Sequence, residues 1–167
     1  IKNFKGNNDD VAVESISGCV TAASKKENGT IAYTIAPNYS GNEAIGTIKL
    51  VSATNNVSAT INVKQEADTF TAARYEVELG ATADANTTVT ITSDFDWTID
   101  ASALTGATVS PLSFTYDNDQ KQTITIKANA ANTTEDAKDL GSFIIKRTAD
   151  DKEITIKVTQ KSDIITI

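Results

Sequence analysis

One sequence pattern occurs twice in this 167-residue chain. Residues 46–50 (GTIKL) correspond to residues 141–145 (GSFII), and residues 59–65 (ATINVKQ) correspond to residues 154–160 (ITIKVTQ). Both matches are 95 residues apart, and the alignment needs no gap between them. A repeat at a constant spacing predicts that the chain folds as two copies of one structural unit.

The correspondence extends towards the N-terminus with one change of length. Residues 33–36 align with residues 124–127, and Asn38 aligns with Asn129. The polar stretch that follows is four residues longer in the second copy, which is typical of a surface loop. Further back, Val11 can be placed on Trp97.

The spacing of apolar residues indicates the fold class. Runs rich in Ile, Val and Thr are separated by clusters of Asp, Asn and Gly, a pattern that predicts short β-strands joined by turns. The second copy contains seven such strands in about 95 residues, which is typical of an immunoglobulin-like sandwich. We therefore predict an all-β protein of two tandem immunoglobulin-like β-sandwich modules, residues 1–67 and residues 68–167. In the second module the side chains predicted to face the core include Tyr75, Trp97, Ile99, Phe143, Ile156 and Val158.

The two ends of the chain differ from the repeat. The first module has no counterpart to the strand predicted at residues 74–79, so this strand either lies upstream of residue 1 or is missing from the module. The second module is followed by an apolar tail, residues 163–167. An open sheet edge and an apolar strand could pair between molecules. The alternative is that both ends are boundaries within a longer string of modules.

Composition narrows the range of functions. The net charge is −7 and basic residues are not clustered, which disfavours nucleic acid as a partner. Histidine is absent and Cys19 is the only cysteine, so the chain has no imidazole base, no intrachain disulfide and no thiolate metal site. No apolar run reaches the length of a membrane span. We predict a non-enzyme that has no metal or cofactor and does not itself insert into a membrane.

Two loop aromatics are the candidate ligand-binding groups. Tyr39 and its neighbour Asn38 lie in a stretch of turn-forming residues, and Phe95 with Asp94 lies beside a turn. An exposed aromatic ring can stack on a sugar, whereas in the alternative reading these rings fold back and cover one end of the sandwich. Trp97 is a third aromatic candidate. Because it alternates in phase with Ile99, we predict that it packs in the core.

Two acidic turns are candidates for calcium ligands. They contain Asp117-Asn118-Asp119 and Asp150-Asp151. Neither has the spacing of a dedicated calcium loop. Because Asp and Asn are ordinary turn residues between strands, we predict no metal site at either turn.

The second copy resembles the BACON domain, a Bacteroidetes-associated, carbohydrate-binding, often N-terminal module. The resemblance covers residues 70–161 and depends on residues 92–99 (TSDFDWTI), Pro111, Asn129, Gly141 and residues 156–160 (IKVTQ). The first copy resembles a divergent member. It keeps residues 63–65 (VKQ) but has Val11 at the position of Trp97.

The resemblance implies a place and a set of partners. It implies export to the bacterial cell envelope, at the outer-membrane surface or in the periplasm, with lipid anchoring through a segment upstream of residue 1 as one option. The implied partners are glycans or mucin and other domains of the same protein. The leading hypothesis is a non-catalytic spacer, scaffold or interaction domain of a larger envelope protein. The alternatives are a carbohydrate-binding module and a strand-exchanging adhesin or pilus-like subunit.

Overall fold

A computed structural model describes residues 10–163 of the chain. Every named element in that range is a β-strand, so the all-β prediction is confirmed. The chain divides into two compact units, Ile1–Asp68 and Thr69–Ile167, called here unit 1 and unit 2. In the part of the chain that is described, no helix is long and apolar enough to cross a membrane.

Unit 1 forms two small sheets from its described residues. Its strands are β1 (Val11–Gly18), β2 (Val20–Lys25), β3 (Ile31–Ile35), β4 (Ala44–Ser52) and β5 (Val57–Gln65). One sheet has the order β1-β4-β5, and β2 and β3 form the other. All of these pairs are antiparallel. The buried core draws on both sheets and contains Cys19, Val20, Ile48, Leu50 and Val63.

Unit 2 has two larger sheets. Its strands are β6 (Phe70–Ala72), β7 (Glu76–Leu79), β8 (Asn86–Ser93), β9 (Trp97–Asp100), β10 (Ala107–Ser110), β11 (Ser113–Phe114), β12 (Lys121–Ala128), β13 (Lys138–Arg147) and β14 (Glu153–Gln160). The sheet orders are β10-β12-β8-β6 and β11-β9-β13-β14-β7. Neighbouring strands are antiparallel except β14 and β7, which run parallel.

One apolar core joins the two sheets of unit 2. The first sheet contributes Ile91 and Ile124, and the second contributes Trp97 and Phe143. Alternate residues of each strand enter this core because successive side chains of a strand point to opposite faces. Burial of apolar surface, at about 25 cal/mol per Å², is the main stabilising contribution here.

The sequence repeat is also a repeat in strand pairing. In unit 1, β4 and β5 pair with Gly46 opposite Val63, and in unit 2, β13 and β14 pair with Gly141 opposite Val158. Each residue of the second pair lies 95 positions after its counterpart. From Gly46 and Gly141 towards the turn the two hairpins therefore have the same register, and unit 2 differs by a register shift between Asp139 and Gly141.

The strand that pairs with the first strand of each hairpin also occupies an equivalent position in the two units. In unit 1, Val11 of β1 lies opposite Ser52 of β4. In unit 2, Trp97 of β9 lies opposite Arg147 of β13. Because Arg147 follows Ser52 by the same 95 residues, the pairing supports the alignment of Val11 with Trp97.

The repeated glycine has a steric cause. At Gly141, where φ is +90°, a Cβ atom would lie 2.1 Å from the carbonyl oxygen of Ala103. At Gly46 a Cβ atom would lie 2.8 Å from the carbonyl oxygen of Ser17. A neighbouring backbone segment passes so close to both positions that only glycine fits without displacing it.

Tyr75 does not face the core as predicted. Its side chain is 54% exposed, whereas Val77 is 3% and Leu79 is 1% exposed. The reason is that β7 begins at Glu76. Tyr75 therefore precedes the strand, and the alternation that buries Val77 and Leu79 does not extend to it.

Candidate functional site

Asn38 holds the loop between β3 and β4. Its Nδ2 donates hydrogen bonds to the carbonyl oxygens of Asn42 (2.6 Å) and Glu66 (3.0 Å). Its Oδ1 accepts hydrogen bonds from the backbone N–H (3.1 Å) and the hydroxyl (2.7 Å) of Ser40. An asparagine amide has two donor hydrogens and one oxygen with two lone pairs. These four bonds therefore use the whole amide, and Asn38 clamps its own loop.

Tyr39 is the most exposed of the four predicted ligand-binding residues. Its side chain is 36% exposed, while Asn38, Asp94 and Phe95 are partly buried. The loop turns sharply after it at Gly41, where φ is +70°. The position of Tyr39 is thus fixed by a clamped loop that leaves a substantial part of its ring accessible.

Unit 2 contains the same clamp at Asn132. Its Nδ2 donates to the carbonyl oxygens of Asp136 (2.9 Å) and Lys161 (3.0 Å). Its Oδ1 accepts from the backbone N–H (3.2 Å) and the hydroxyl (2.6 Å) of Thr134. The partners lie at the same places as those of Asn38: two residues on, four residues on, and directly after the last strand of the repeat.

This geometry corrects the alignment of Asn38 with Asn129. The structural counterpart of Asn38 is Asn132, three residues further along the chain. The sequence comparison was wrong at this point because a polar loop has no apolar alternation that would fix its register.

A glutamine at the end of each repeat supports the clamp. Gln160 is 2% exposed, and its Nε2 donates to the carbonyl oxygens of Ala130 (2.9 Å) and Ala81 (3.2 Å). In unit 1, Nε2 of Gln65 donates to the carbonyl oxygen of Ala36 (3.0 Å). The terminal V-x-Q of both repeats therefore has a structural role in each unit.

Asp94 ties three segments of unit 2 together. One carboxylate oxygen accepts a hydrogen bond from the backbone N–H of Thr69 (2.6 Å), and the other accepts one from the side-chain amide of Gln120. The backbone N–H of Asp94 donates to the carbonyl oxygen of Thr69 (3.1 Å). Both oxygens of this predicted ligand-binding residue thus have partners within the unit.

Phe95 packs over a buried cation. The Cζ atom of Arg147 lies 5.0 Å from the centroid of the Phe95 ring and 5.5 Å from that of Phe70. Arg147 is fully buried, a setting in which cation–π contacts are strongest. Asp150 accepts from its Nε and Nη2, each at 2.6 Å. This arrangement corresponds to the alternative reading of Phe95, in which the ring covers part of its own domain.

Trp97 is inaccessible to a ligand. It has no exposed surface, and its ring centroid lies 5.7 Å from that of Phe114. The other residues predicted to be structural lie in the same core: Ile99 (9% exposed), Phe143, Ile156 and Val158 (each 0%). The ring of Trp97 therefore contributes packing and not a sugar platform.

The acidic turns use their carboxylates locally. Asp117 accepts from the N–H of Asp119 (3.3 Å), and Asp119 accepts from the N–H of Lys121 (3.0 Å). The Arg147 side chain beside Asp150 lowers the pKa of that carboxyl below its ordinary value. Among residues 10–163, no group of three or more acidic or thiol side chains is placed to hold a metal ion.

Sequence reasoning missed three residues that organise unit 2. Arg147 lies in the core although it is charged, and Asn132 and Gln160 are buried polar groups. A signal for Arg147 was present, because it continues the alternation of Phe143 and Ile145. The clamp also had a signal: Asn followed by a hydroxyl residue two positions later occurs at both loops.

The predicted ligand-binding residues are divided between the two units. Asn38 and Tyr39 belong to unit 1, and Asp94 and Phe95 belong to unit 2. Within the described residues, the side-chain amide of Asn38 and the carboxylate of Asp94 form hydrogen bonds with neighbouring backbone or side-chain groups. The side chain of Tyr39 is the most exposed of these groups, at 36%.

Comparisons with known proteins find only solved structures of low sequence identity. No family model and no curated protein matches the chain. Among solved structures, the S-layer protein rSbsC(31-844) is 15% identical, with a TM-score of 0.48, and the match covers 98% of this chain and 22% of that one. WR4, a member of the MSP family of C. elegans, is 16% identical, with a TM-score of 0.37, covering 56% of this chain and 96% of that one. An endo-fucoidan hydrolase of glycoside hydrolase family 107 is 13% identical, with a TM-score of 0.35, covering 91% of this chain and 24% of that one.

Proposed function

We propose that the chain is a pair of non-catalytic modules that serves as a spacer, scaffold or interaction domain within a larger bacterial surface protein. The observation that carries this proposal is the use of polar side chains. Asn38 and Asn132 clamp loops, Asp94 ties segments together, and Arg147 is paired inside the core. Side chains engaged in this way stabilise a fold and are not presented to a substrate.

The finer identity belongs to the same proposal. We infer two immunoglobulin-like sandwiches of the BACON kind, the first divergent. Support comes from the equal register of the two hairpins, the repeated clamp and the residues of unit 2 that resemble that domain. Export to the envelope, with lipid anchoring through an upstream segment, follows from the resemblance.

A binding survey of the whole chain tests the proposal. The chain is titrated by isothermal calorimetry with mucin glycopeptides and plant polysaccharides, and fluorescently labelled chain is applied to a glycan array. A spacer or scaffold shows no saturable binding to any of them. Saturable glycan binding that disappears in Tyr39→Ala, while the fold remains intact, would replace this proposal with the next one.

A carbohydrate-binding module is the second candidate. It is favoured by exposed rings in unit 1: Tyr33 is 53% and Tyr39 is 36% exposed. The matched control for Tyr39→Ala is Tyr75→Ala, because Tyr75 is 54% exposed but belongs to unit 2. Glycan binding by unit 1 predicts loss of affinity in Tyr39→Ala or Tyr33→Ala and no change in Tyr75→Ala.

The strand-exchanging subunit remains the third hypothesis. Its predicted donor is the apolar tail, of which residues 164–167 lie outside the described residues. Deletion of residues 163–167 should abolish any assembly that depends on protein concentration, measured by light scattering. Assembly that survives the deletion would exclude the tail as donor.

A further inference from the structure

The two ends of unit 2 are joined by one pair of neighbouring strands. The chain enters the unit at Thr69, passes through β6 into β7, and leaves the last strand, β14, at Lys161. The strands β7 and β14 run parallel and lie side by side at the edge of the five-stranded sheet. A pull applied at both ends of the unit therefore reaches this terminal strand pair, β7 with β14, along the chain from both sides.

The parallel direction of the terminal strand pair decides how it responds to a pull. At the start of the pair the N–H of Lys157 donates to the carbonyl oxygen of Tyr75 (2.9 Å), and at its end the N–H of Lys161 donates to that of Leu79 (3.0 Å). Tension enters β7 at the first of these bonds and leaves β14 at the last. The strands are thus drawn past each other, and the bonds between them are loaded together. Strands loaded from the same end would instead lose their bonds one at a time.

The entry and exit points lie at opposite ends of the strand pair. Beside the entry point, the ring centroid of Phe70 is 5.5 Å from Cζ of Arg147, the last residue of β13. The end of β13 lies beside the start of β14, because Lys146 is opposite Glu153. Lys161 follows the other end of β14. The line between the two points of attachment therefore runs along the strands and not across them.

Side chains strengthen the terminal strand pair at its exit end. Nε2 of Gln160 donates to the carbonyl oxygen of Ala81 (3.2 Å), and Nζ of Lys161 lies 3.3 Å from a carboxylate oxygen of Glu78. Val77 is 3% exposed, so sliding of β7 also has to withdraw an apolar side chain from the core. Main-chain bonds, side-chain bonds and packing therefore resist the same movement.

The strand β6 is loaded before β7 but is held by fewer bonds. It pairs with three residues of β8, whereas β7 pairs with four residues of β14 and has the additional side-chain contacts. Detachment of β6 lengthens the chain by a few residues and leaves β7 in place. The terminal strand pair therefore determines the force at which the unit opens.

We propose that unit 2 has a mechanical function: it resists tension along the chain, and the terminal strand pair keeps it closed under that tension. The inference rests on the proposed spacer role, because a spacer transmits the force that acts on the parts it joins. Neither glycan binding nor strand exchange requires this property.

Stretching single molecules tests the proposal. The full chain is placed between marker modules of known unfolding force and stretched by atomic force microscopy. Unfolding of unit 2 is recognised by its gain in length, about 300 Å for about 90 residues at about 3.6 Å each. The unfolding rate is then measured at constant force, since forced unfolding is governed by this rate.

Two neighbouring proline substitutions form a matched pair. The carbonyl groups of Tyr75 and Leu79 bond to β14, and alternate residues of a strand bond to the same neighbour, so the N–H of Val77 faces β14 and that of Glu78 faces away from it. Val77→Pro removes a bond of the terminal strand pair and should raise the unfolding rate under force about tenfold. Glu78→Pro removes no such bond and should leave the rate within about twofold. Equal rates in the two variants would overturn the proposal.

A core substitution separates resistance to force from stability. Val89 of β8 is 1% exposed and lies outside the terminal strand pair. Val89→Ala should lower the free energy of unfolding of unit 2 in urea and leave its unfolding rate under force unchanged. Rates under force that simply follow the urea stability of the three variants, whichever strand is altered, would contradict a mechanical function of β7 and β14.

The direction of pulling gives a second test that leaves β7 unaltered, and it decides the question if Val77→Pro does not fold. One handle is attached to the N-terminus of the chain and the other to Lys152→Cys, in a Cys19→Ser background with a single thiol. Residue 152 precedes β14, so both strands are loaded from the same end. Unit 2 should open at a much lower force than in end-to-end pulling, and equal forces in the two directions would overturn the proposal.

Failure of the inference and failure of the proposed function have different signatures. Saturable glycan binding would replace the spacer role and would leave the measured forces as they are. Forces that do not depend on direction would remove the mechanical function and would leave the result of the binding survey as it is.

Discussion

Units 1 and 2 use the same framework to different degrees of completeness. Both have a hairpin of equal register, a glycine that a neighbouring segment approaches, an asparagine loop clamp and a terminal glutamine. They differ in how much is packed around this framework. In unit 2, Trp97 fills the position that Val11 has in unit 1, and β7 pairs with the outer edge of β14, whereas no strand among residues 10–68 pairs with the equivalent edge of β5.

The comparison of the two units shows that the repeated framework (hairpin, glycine, clamp and glutamine) can form around a small core as well as around a large one. The clamp and the glycine are satisfied by a few local hydrogen bonds and one close backbone contact, so a small unit can keep them. A complete core needs strands on every side. The comparison therefore predicts that equivalent substitutions have smaller effects in unit 1.

Replacing Trp97 tests the comparison most strongly. Trp97→Ala removes the largest buried side chain of unit 2 and should lower the free energy of unfolding of that unit by about 3–5 kcal/mol. Val11→Ala, at the equivalent position of unit 1, removes a partly exposed side chain and should cost about 1 kcal/mol. Urea unfolding followed by unit-resolved hydrogen exchange measures both values, and equal losses would contradict the unequal packing.

A pair of identical substitutions sharpens the result. Ile156→Ala should cost about 2–5 kcal/mol because the side chain is fully buried, and Ile61→Ala should cost about half as much because its side chain is partly exposed. The fluorescence of Trp97, the chain's single tryptophan, reports unfolding of unit 2. Exchange at Val63 reports unit 1. If Ile61→Ala costs as much as Ile156→Ala, the edge of β5 is already covered.

The ion pair of Arg147 exists only in unit 2, because unit 1 has Ser52 at that position. Asp150→Asn removes the negative charge that pairs with the buried guanidinium of Arg147 and should cost about 3 kcal/mol, the lower end for the loss of such a pair, since the Asp150 side chain is 23% exposed. Unchanged stability in a urea titration at neutral pH would show that the pair contributes nothing.

Lowering the pH should weaken the ion pair between Arg147 and Asp150. Arg147 lowers the pKa of Asp150 below the ordinary 3.8, so the folded state binds the proton less readily than the unfolded state. This contribution is fully present above the unfolded pKa and is lost as pH falls through the lower folded value. The urea concentration at which half of unit 2 is unfolded should therefore decrease when the pH is lowered below about 4. The decrease should be smaller in Asp150→Asn.

The two clamps allow a smaller comparison. Asn132→Ala removes an amide that is 2% exposed together with its hydrogen bonds to Thr134, Asp136 and Lys161, which should cost about 2 kcal/mol. Asn38→Ala removes the same bonds from a more accessible loop, where water can replace them, and should cost about 1 kcal/mol. Thermal unfolding measured by calorimetry compares the stability losses of the two variants. A larger loss for Asn38→Ala would contradict the expectation that the more buried clamp contributes more to stability.

Tyr39→Ala should have the smallest effect on stability. A partly exposed ring on a loop contributes within about 0.5 kcal/mol, because the clamp at Asn38 holds the loop without it. The midpoint of urea unfolding measures the change. A loss of more than about 1 kcal/mol would show that the ring packs on its own unit, and would remove Tyr39 as a candidate ligand contact.

The candidate site shows where sequence reasoning reaches its limit. Alternation indicated that Trp97 would be an inward-facing residue, and in the structure it is fully buried. The same pattern failed at Tyr75, where the strand begins one residue later. It did not reveal that the amide of Asn38 is used within its loop, because hydrogen-bond partners such as Glu66 are 28 residues away in the sequence.

The amino-acid sequence by itself determined that the protein is all-β and that its two hairpins have one register. Both properties follow from local patterns, namely β-branched residues at alternate positions and a glycine at a constant place in the repeat. The tertiary structure decided that β7 lies parallel to β14, that Arg147 is buried beside the rings of Phe70 and Phe95, and that β5 pairs only with β4 among residues 10–68. These properties depend on which distant strands meet, and the balance of burial and hydrogen bonding that selects those neighbours is not encoded in any short segment.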